Sequence, residues 1–466
     1  MDYYLAVDLG ASSGRLVLGH IENNKIMTEE IYRFVTHGKQ KGDKWAWDCN
    51  VLVENIIIGM EMCKQQEKIP KMIGIDTWGA DYVLLDKEGE LLCNASDYRD
   101  EMAFFGMMLE ADRIIPYADY YQRTGIGRLP IDTIYQLMAL QSQHPGVLKK
   151  AGSLLMTSTF INYKLTGVIK EEYTTAVTTG LINAKTQTWD METIERMGFP
   201  ADIFTKLYAP GEIVGRLCES VKRRVGFDCD VVLPASHDTA SAFLAVPSTD
   251  KDSVSVSNGT WSIIGIISEQ PINTPSAMAA GFTNEGAYPK CYRLSKNIVG
   301  MFMLEMIRTN LGGNIRYDEL VKMAENADNI QSVIDMSNLM YLLATDMLAA
   351  IKDDCSKSGQ QVPQTNGEVL KVFFQSLAAY YARAIRELEE IMGKKFTALN
   401  IVGGGSRNDY LNNLVSKTIS MPVIAGPAEA TILGNLMCQM IAGREFPDID
   451  AAKSACAESF PVKHFS

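Results

Sequence analysis

The sequence predicts an α/β fold built in two related halves, each a sheet flanked by helices. Three observations lead there. At 466 residues the chain is too long for one ordinary core and should divide into two or three domains. Short apolar runs that stop on small polar residues alternate with amphipathic helical stretches. The outline of Leu5 to Arg15 (apolar strand, polar residue, glycine, small hydroxyl region, second strand) returns at Val254 to Gly265. Laid over each other, Asp8 faces Ser257, Gly10 faces Gly259 and Ala11 faces Thr260, so the second half should repeat the topology of the first. Val246-Pro247-Ser248-Thr249-Asp250 breaks the periodicity, which puts a linker between Ala245 and Asp252 and the halves at residues 1–246 and 247–466.

Composition narrows the class. A hydrophobic content of 47% with 21% charged residues is that of a soluble globular chain, not a disordered one. With 44 basic against 56 acidic residues the formal charge is -12, which argues against a nucleic-acid or anionic-membrane footprint. A phosphate-bearing ligand remains open, because backbone N–H groups and helix N-termini bind anions without net positive charge. The start Met1-Asp2-Tyr3-Tyr4 has no basic n-region, and no apolar stretch approaches the roughly 18 residues of a spanning helix, so a cytoplasmic protein is expected. Most of the nine cysteines, odd in number and without a C-x-x-C pair, are read as buried thiols; the spacing leaves a stray bridge open. Nothing in the pattern specifies an oligomeric partner.

In order, Tyr3 to Val7 is a strand breaking at Asp8-Leu9-Gly10-Ala11-Ser12-Ser13-Gly14, and Arg15 to His20 resumes extended character. A third strand around Glu30–Phe34 completes a meander, and Asn50 to Gln65 reads as a helix with Val51, Ile56-Ile57-Ile58 and Met60 as its apolar side. Met72 to Ile75 is a buried strand ending on Asp76-Thr77-Trp78-Gly79-Ala80-Asp81, and Tyr82 to Leu85 runs into a hairpin turn at Asp86-Lys87-Glu88-Gly89. From 100 to 230 the pattern turns helical and irregular, with helices at Ile131–Gln143, Ser158–Leu165 and Asp190–Met197. This reads as inserted material walling a site, with little chemistry of its own. Arg99-Asp100 and Thr124-Gly125 could line a cleft, but ordinary surface and turn roles explain them as well. In the second half, a helix follows Asn297 to Met301, a long helix spans Gly367–Met392, and the strand Leu399–Val402 stops on Gly403-Gly404-Gly405-Ser406 before the helix Asp409–Ile419. A last helix carries Leu433-Gly434-Asn435, whose glycine suggests a close backbone approach.

The chemistry concentrates at Val231-Val232-Leu233-Pro234-Ala235-Ser236-His237-Asp238-Thr239, where a strand hands over to a helix and α/β sheets bind ligands. Asp238 is the candidate base. The competing explanation is local: Ser236 or Asp238 could simply N-cap the next helix. Asp8, also at a strand end, could orient a hydrated Mg²⁺ while Asp238 takes a proton from a substrate hydroxyl. The turns at Gly10 and Gly259 and the loop Gly403–Gly405 let a main chain approach phosphate oxygens closely. The motifs G-x-x-x-x-G-K-[ST], G-x-G-x-x-G, H-R-D and D-F-G do not occur, so any nucleotide is held by another architecture.

Asp8 to Arg15, Gly74-Ile75-Asp76-Thr77-Trp78-Gly79, Ser236 to Ser241, Ser257-Asn258-Gly259-Thr260-Trp261 and Gly403-Gly404-Gly405 together resemble the FGGY carbohydrate kinases, over residues 3 to 443. The resemblance implies two lobes of actin/hexokinase-like (ribonuclease H-like) fold, each a mixed sheet with flanking helices, with ATP in a deep cleft between them. Thr77-Trp78-Gly79 with Ser236-His237-Asp238-Thr239 is similar to the branch that phosphorylates L-rhamnulose at its 1-hydroxyl, ahead of the glycerol, xylulose or gluconate branches. By that resemblance Asp238 is the proton acceptor, and Gly79, His237, Thr239 and Asn297 contact sugar. Ala11, Ser12, Ser13, Gly14, Arg15, Thr260, Glu305 and Gly403 match nucleotide positions, and Asp8 the carboxylate near Mg²⁺. Where relatives carry glutamine this chain has Glu305; a carboxylate beside phosphates repels, so Glu305 should turn away or face ribose. A kinase for a related deoxy-ketose such as L-fuculose, and a non-catalytic sugar or nucleotide sensor, are the alternatives.

Overall fold

In the computed structural model, which describes residues 1–36, 39–41, 44–93 and 102–466, two mixed sheets repeat one topology. Arg99 and Asp100 lie outside the described residues. The first sheet contains β1 (Tyr3–Leu9), β2 (Ser13–Glu22), β3 (Lys25–Val35), β4 (Pro70–Thr77), β5 (Ile213–Arg216) and β6 (Asp230–Val232), in the order β5-β6-β4-β1-β2-β3. The second is led by β7 (Ser253–Asn258) and β8 (Ser262–Ser268), joined by β9 (Cys291–Ile298), β10 (Ala398–Val402), β11 (Val423–Ala425) and β12 (Lys463–Phe465). A seventh strand, Thr283–Ala287, lies outside β9, so the order runs Thr283–Ala287, then β9-β8-β7-β10-β11-β12. Each sheet therefore has a hairpin whose first strand also pairs in parallel with a later one. Asp8 stands opposite Arg15 and Asp76, and Ser257 opposite Ile263 and Val402. Asp8 and Ser257, aligned in the sequence, each stand on the leading strand between its hairpin partner and a later parallel strand.

The chain divides into two compact units, and neither is contiguous. The first comprises Met1–Ala245, Ile267–Leu294 and Thr431–Ser459; the second comprises Val246–Ile266, Ser295–Ala430 and Phe460–Ser466. In the first unit, helix α1 (Cys49–Gln65) is N-capped by Asp48 and buries Leu52, Val53, Ile56, Ile57, Met60 and Cys63 against the sheet. Each such aliphatic side chain contributes roughly 1.5–3 kcal/mol. Val51, expected on that face, is 42% exposed, because the buried positions recur at three- and four-residue spacing from Leu52 and leave it on the far side. A second apolar core gathers around Tyr82, Tyr120, Tyr135 and Tyr173, with helices at Thr133–Gln143 and Met191–Arg196, while the helix Thr157–Thr166 packs Phe160, Ile161 and Leu165 on the first. In the second unit the long helix Asn366–Met392 opens on a Thr365/Glu368 capping box and ends at Gly393, whose φ of 63° requires the left-handed region. Among the described residues no helix is long and apolar enough to cross a membrane, and eight cysteines are free thiols.

Candidate functional site

β1, β4 and β6 are neighbouring parallel strands; the first two run out on aspartates, and the chain beyond β6 reaches a third. β1 delivers Asp8 and β4 delivers Asp76. The chain beyond β6 stays in register through the bridge of Thr77 with His237 and the Thr77 N–H bond to the Ser236 carbonyl (2.9 Å), which places Asp238 next in line. Helix α2 (Asp238–Leu244) begins there. Its N-cap is His237, and no side chain caps it, so the local capping explanation fails: the Asp238 carboxylate accepts instead from the Thr239 hydroxyl at 3.0 Å.

The three carboxylates differ in surroundings. Arg15 Nη2 donates to Asp8 Oδ2 at 2.6 Å across the β1–β2 hairpin. Asp76 is wholly buried; Asn435, on helix α3 (Ala430–Ala442), donates to its Oδ2 at 2.5 Å, and its Oδ1 has no partner. Burial first, then the charge of Asp8, lifts Asp76 well above the usual carboxylate range. Asp238 keeps 32% of its side chain open, the most accessible of the three. Its pKa is raised by burial above all and also by Asp8, while His237 and the Thr239 hydroxyl pull it down. An accessible carboxylate tuned upward in this way is a stronger proton acceptor than a free one.

His237 is buried, with Nε2 3.5 Å from Asp238 and Nδ1 3.5 Å from Glu285, whose carboxylate pairs with the fully buried Arg293. Burial lowers the histidine's pKa and favours neutral imidazole, against the opposing pull of the two carboxylates. Gly79 lies in the turn after β4, where a Cβ would meet Thr178 Cγ2 at 2.7 Å. Ala80 beside it holds φ of 70°, a strained value for a residue with a side chain. It is fixed by its N–H to Thr178 Oγ1 (2.8 Å) and by Thr133 and Gln136, which donate to its carbonyl at 2.6 and 3.1 Å. Trp47 and Trp78 both donate indole N–H to the buried Asp81, at 2.6 and 2.8 Å. Thr124 and Gly125, offered as cleft lining, form a helix end: Gly125 is the left-handed cap, and its carbonyl accepts from Asn284.

The first glycine turn is closed by Gly10 N–H to the Ser13 carbonyl (3.0 Å), with Thr36 donating to the Gly10 carbonyl (2.6 Å) and Ser12 exposed at its tip. Ala11 and Ser13 are half-buried, and Gly14 lies under the Phe34 ring. In the second unit Gly259 N–H bonds the Trp261 carbonyl, also at 3.0 Å, and leaves Thr260 exposed. Gly403 has φ of 83° and, with Gly405, packs on Asn258, whereas a Cβ on Gly404 would meet open space. Asn297 is half-buried near the end of β9. Glu305 is tied back on its own helix, where Arg308 donates to both oxygens at 2.8 and 2.6 Å and Tyr317 adds a bond at 2.5 Å. Arg308 above all holds that carboxylate below its ordinary pKa. Sequence reasoning missed Glu172, Glu285, Arg293 and Asn435. Asp76 was visible as a strand end; the others lie in segments without a motif.

Fold and strand-end carboxylates together define a two-domain α/β protein of the actin/hexokinase-like class. Residues 3–245 match the N-terminal domain model, and 254–443 the C-terminal domain model, of the FGGY family of carbohydrate kinases. The chain is 40% identical over 465 residues to a rhamnulokinase of Halalkalibacterium halodurans, covering 100% of this chain and 99% of the relative. It is 38% identical over 458 residues to a rhamnulokinase of Oceanobacillus iheyensis, covering 98% and 97%. The crystal structure of gluconate kinase from Lactobacillus acidophilus superposes with a TM-score of 0.81 at 20% identity, over 100% of this chain and 93% of that one, a likeness of fold. The chain belongs to the FGGY family of carbohydrate kinases.

Proposed function

We propose that this protein transfers the γ-phosphoryl group of ATP to the 1-hydroxyl of L-rhamnulose, giving ADP and L-rhamnulose 1-phosphate. The observation that carries the reading is the row of aspartates beyond three neighbouring parallel strands, in which Asp238 keeps the most accessible carboxylate, beside Asp8 and the buried Asp76. The relatives named rhamnulokinase support the choice of sugar. The sugar oxygen attacks the γ-phosphorus, the bond to ADP breaks, and the hydroxyl proton passes to Asp238. Gly79, His237, Thr239 and Asn297 are assigned to the sugar. Ala11 to Arg15, Thr260 and Gly403 are assigned to the nucleotide, whose oxygens suit turn N–H groups and small hydroxyls. Glu305, spent on Arg308 and Tyr317, serves the helix and is assigned no phosphate contact. Residues 1–246 carry the first phosphate loop, the base and every sugar contact but Asn297, and 247–466 carry Asn297, the second phosphate loop and the adenosine site.

Mg²⁺ fits as an ion carried on the nucleotide. Among the described residues no three carboxylate, imidazole or thiolate ligands converge, and Arg15 occupies Asp8 Oδ2, so Asp8 itself offers one oxygen and no cage surrounds it. A hydrated Mg²⁺ held chiefly by phosphates requires no more. Bound there, the ion would neutralise charge on the phosphates. The test is ³¹P NMR of a mixture of protein, Mg²⁺-ATP and L-rhamnulose. A phosphomonoester signal split by a CH₂ group supports the reading, whereas ATP left intact, or consumed only with another sugar, overturns it.

A further inference from the structure

Glu172 is wholly buried, on a two-residue strand (Glu171–Glu172), and its carboxylate collects four donors. These are the Thr174 N–H (2.8 Å) and hydroxyl (2.6 Å), the Thr175 N–H (3.1 Å) and, 64 positions along the chain, the Ser236 N–H (3.2 Å). Because the Thr174 hydroxyl gives its proton to Glu172, its oxygen is free to accept, and it does so from the His237 N–H at 3.1 Å. Both amides immediately before Asp238 are therefore held by one carboxylate, one directly and one through a hydroxyl. On its other side the same segment is held by Thr77, whose N–H bonds the Ser236 carbonyl, and by Ser241, whose hydroxyl bonds the Ala235 carbonyl at 2.7 Å. Burial pushes the Glu172 carboxyl up to about 7, and the four donors oppose that rise.

We propose that Glu172 and Thr174 are positioning residues for the phosphoryl transfer: they clamp the backbone of Ser236 and His237 and so set the direction of the Asp238 carboxylate. This rests on the assignment of Asp238 as base. Neither residue touches the Asp238 side chain; they act through the main chain, and a misplacement of about 1 Å at a reacting group costs on the order of 10²-fold in rate. Valine matches the shape of threonine without the hydroxyl, whereas serine keeps the hydroxyl, so the pair isolates the hydroxyl's two bonds, to Glu172 and from the His237 N–H. Glu172→Gln sets amide N–H groups against converging donors and serves as the second probe.

The experiment measures kcat and KM for both substrates, together with amide hydrogen exchange in the peptide spanning 233–240, for wild type, Thr174→Val, Thr174→Ser and Glu172→Gln. In Thr174→Val, kcat is expected to fall on the order of 10- to 100-fold with both KM values within about threefold, and the His237 amide to exchange faster. Thr174→Ser restores kcat to within about threefold of wild type. Glu172→Gln, where it folds, repeats the valine result and also exposes the Ser236 amide. If Thr174→Val turns over and exchanges as Thr174→Ser does, the clamp is overturned. A purely packing role would lower thermal stability equally in both threonine variants without this split in kcat. An inactive wild type would remove the functional reading first, and the exchange rates alone would then decide whether the clamp holds the loop.

Discussion

Gly434→Ala tests how closely the machinery around Asp238 is packed. A Cβ at position 434 would lie 1.9 Å from the Ser241 carbonyl oxygen and 2.6 Å from its carbon. Those atoms are main chain in helix α2, where the Ser241 N–H bonds the His237 carbonyl at 3.1 Å, so no side chain can swing away to make room. To reach ordinary contact the two helices must part by roughly 1.5 Å. Alanine in a helix interior gains about 1 kcal/mol over glycine, while enforced overpacking costs about 1–3 kcal/mol. The expected balance is a loss of up to about 2 kcal/mol, read as a fall of up to about 3 °C in Tm. The larger effect should be kinetic. The displaced helix begins with Asp238, and a shift of that size predicts a drop in kcat on the order of 10²-fold. Differential scanning fluorimetry and steady-state ADP release measure the two. An alanine variant with unchanged Tm and kcat within threefold of wild type would refute the close approach and the coupling drawn from it.

Other consequences concern charge and the second unit. Glu171 and Glu172 are buried, with carboxyls pushed up to about 8 and about 7 from an ordinary value of 4.5. Between those limits the folded state binds more protons than the unfolded one, so the stability they contribute is full below about pH 4.5 and is lost as the pH rises through 7 to 8. Urea unfolding of wild type should lose on the order of 6 kcal/mol from this source between pH 5 and 8, and Glu171→Gln should flatten the slope; equal slopes would contradict it. Glu305→Gln should change KM for ATP by less than about threefold and stability by under about 1 kcal/mol, since the pair it breaks is exposed; a tenfold KM change in titration kinetics would restore Glu305 to the nucleotide site. Gly403→Ala, forced to φ of 83° against the Asn258 carbonyl, should raise KM for ATP on the order of tenfold while leaving that for sugar near wild type.

The fold was legible wherever short-range patterning carried it. Each sheet's leading hairpin, the strand ends at Asp8 and Asp76, the helix Asp409–Ile419 and the close approach at Gly434 can all be read from local alternation and glycine placement. The unit boundaries were not legible as a single cut, because Thr431–Ser459 returns to the first unit, and Asn435 meets Asp76 from 359 positions away. The segment 100–230 looked chemically inert for the same reason. Glu172 and Thr174 carry no motif, and their meaning arises only from pairing with Ser236 and His237. Glu305 shows the converse: its clash with phosphates was foreseeable from charge alone, but the Arg308 and Tyr317 partners that resolve it were not.

Asp238→Asn bears most directly on the whole account. With Mg²⁺-ATP and L-rhamnulose, the variant should bind sugar by calorimetry within about threefold of wild type while kcat falls on the order of 10²–10⁴, the usual contribution of a positioned base. Near-normal turnover would remove Asp238 from the chemistry, and with it the reading of the three strand ends as a phosphoryl-transfer site.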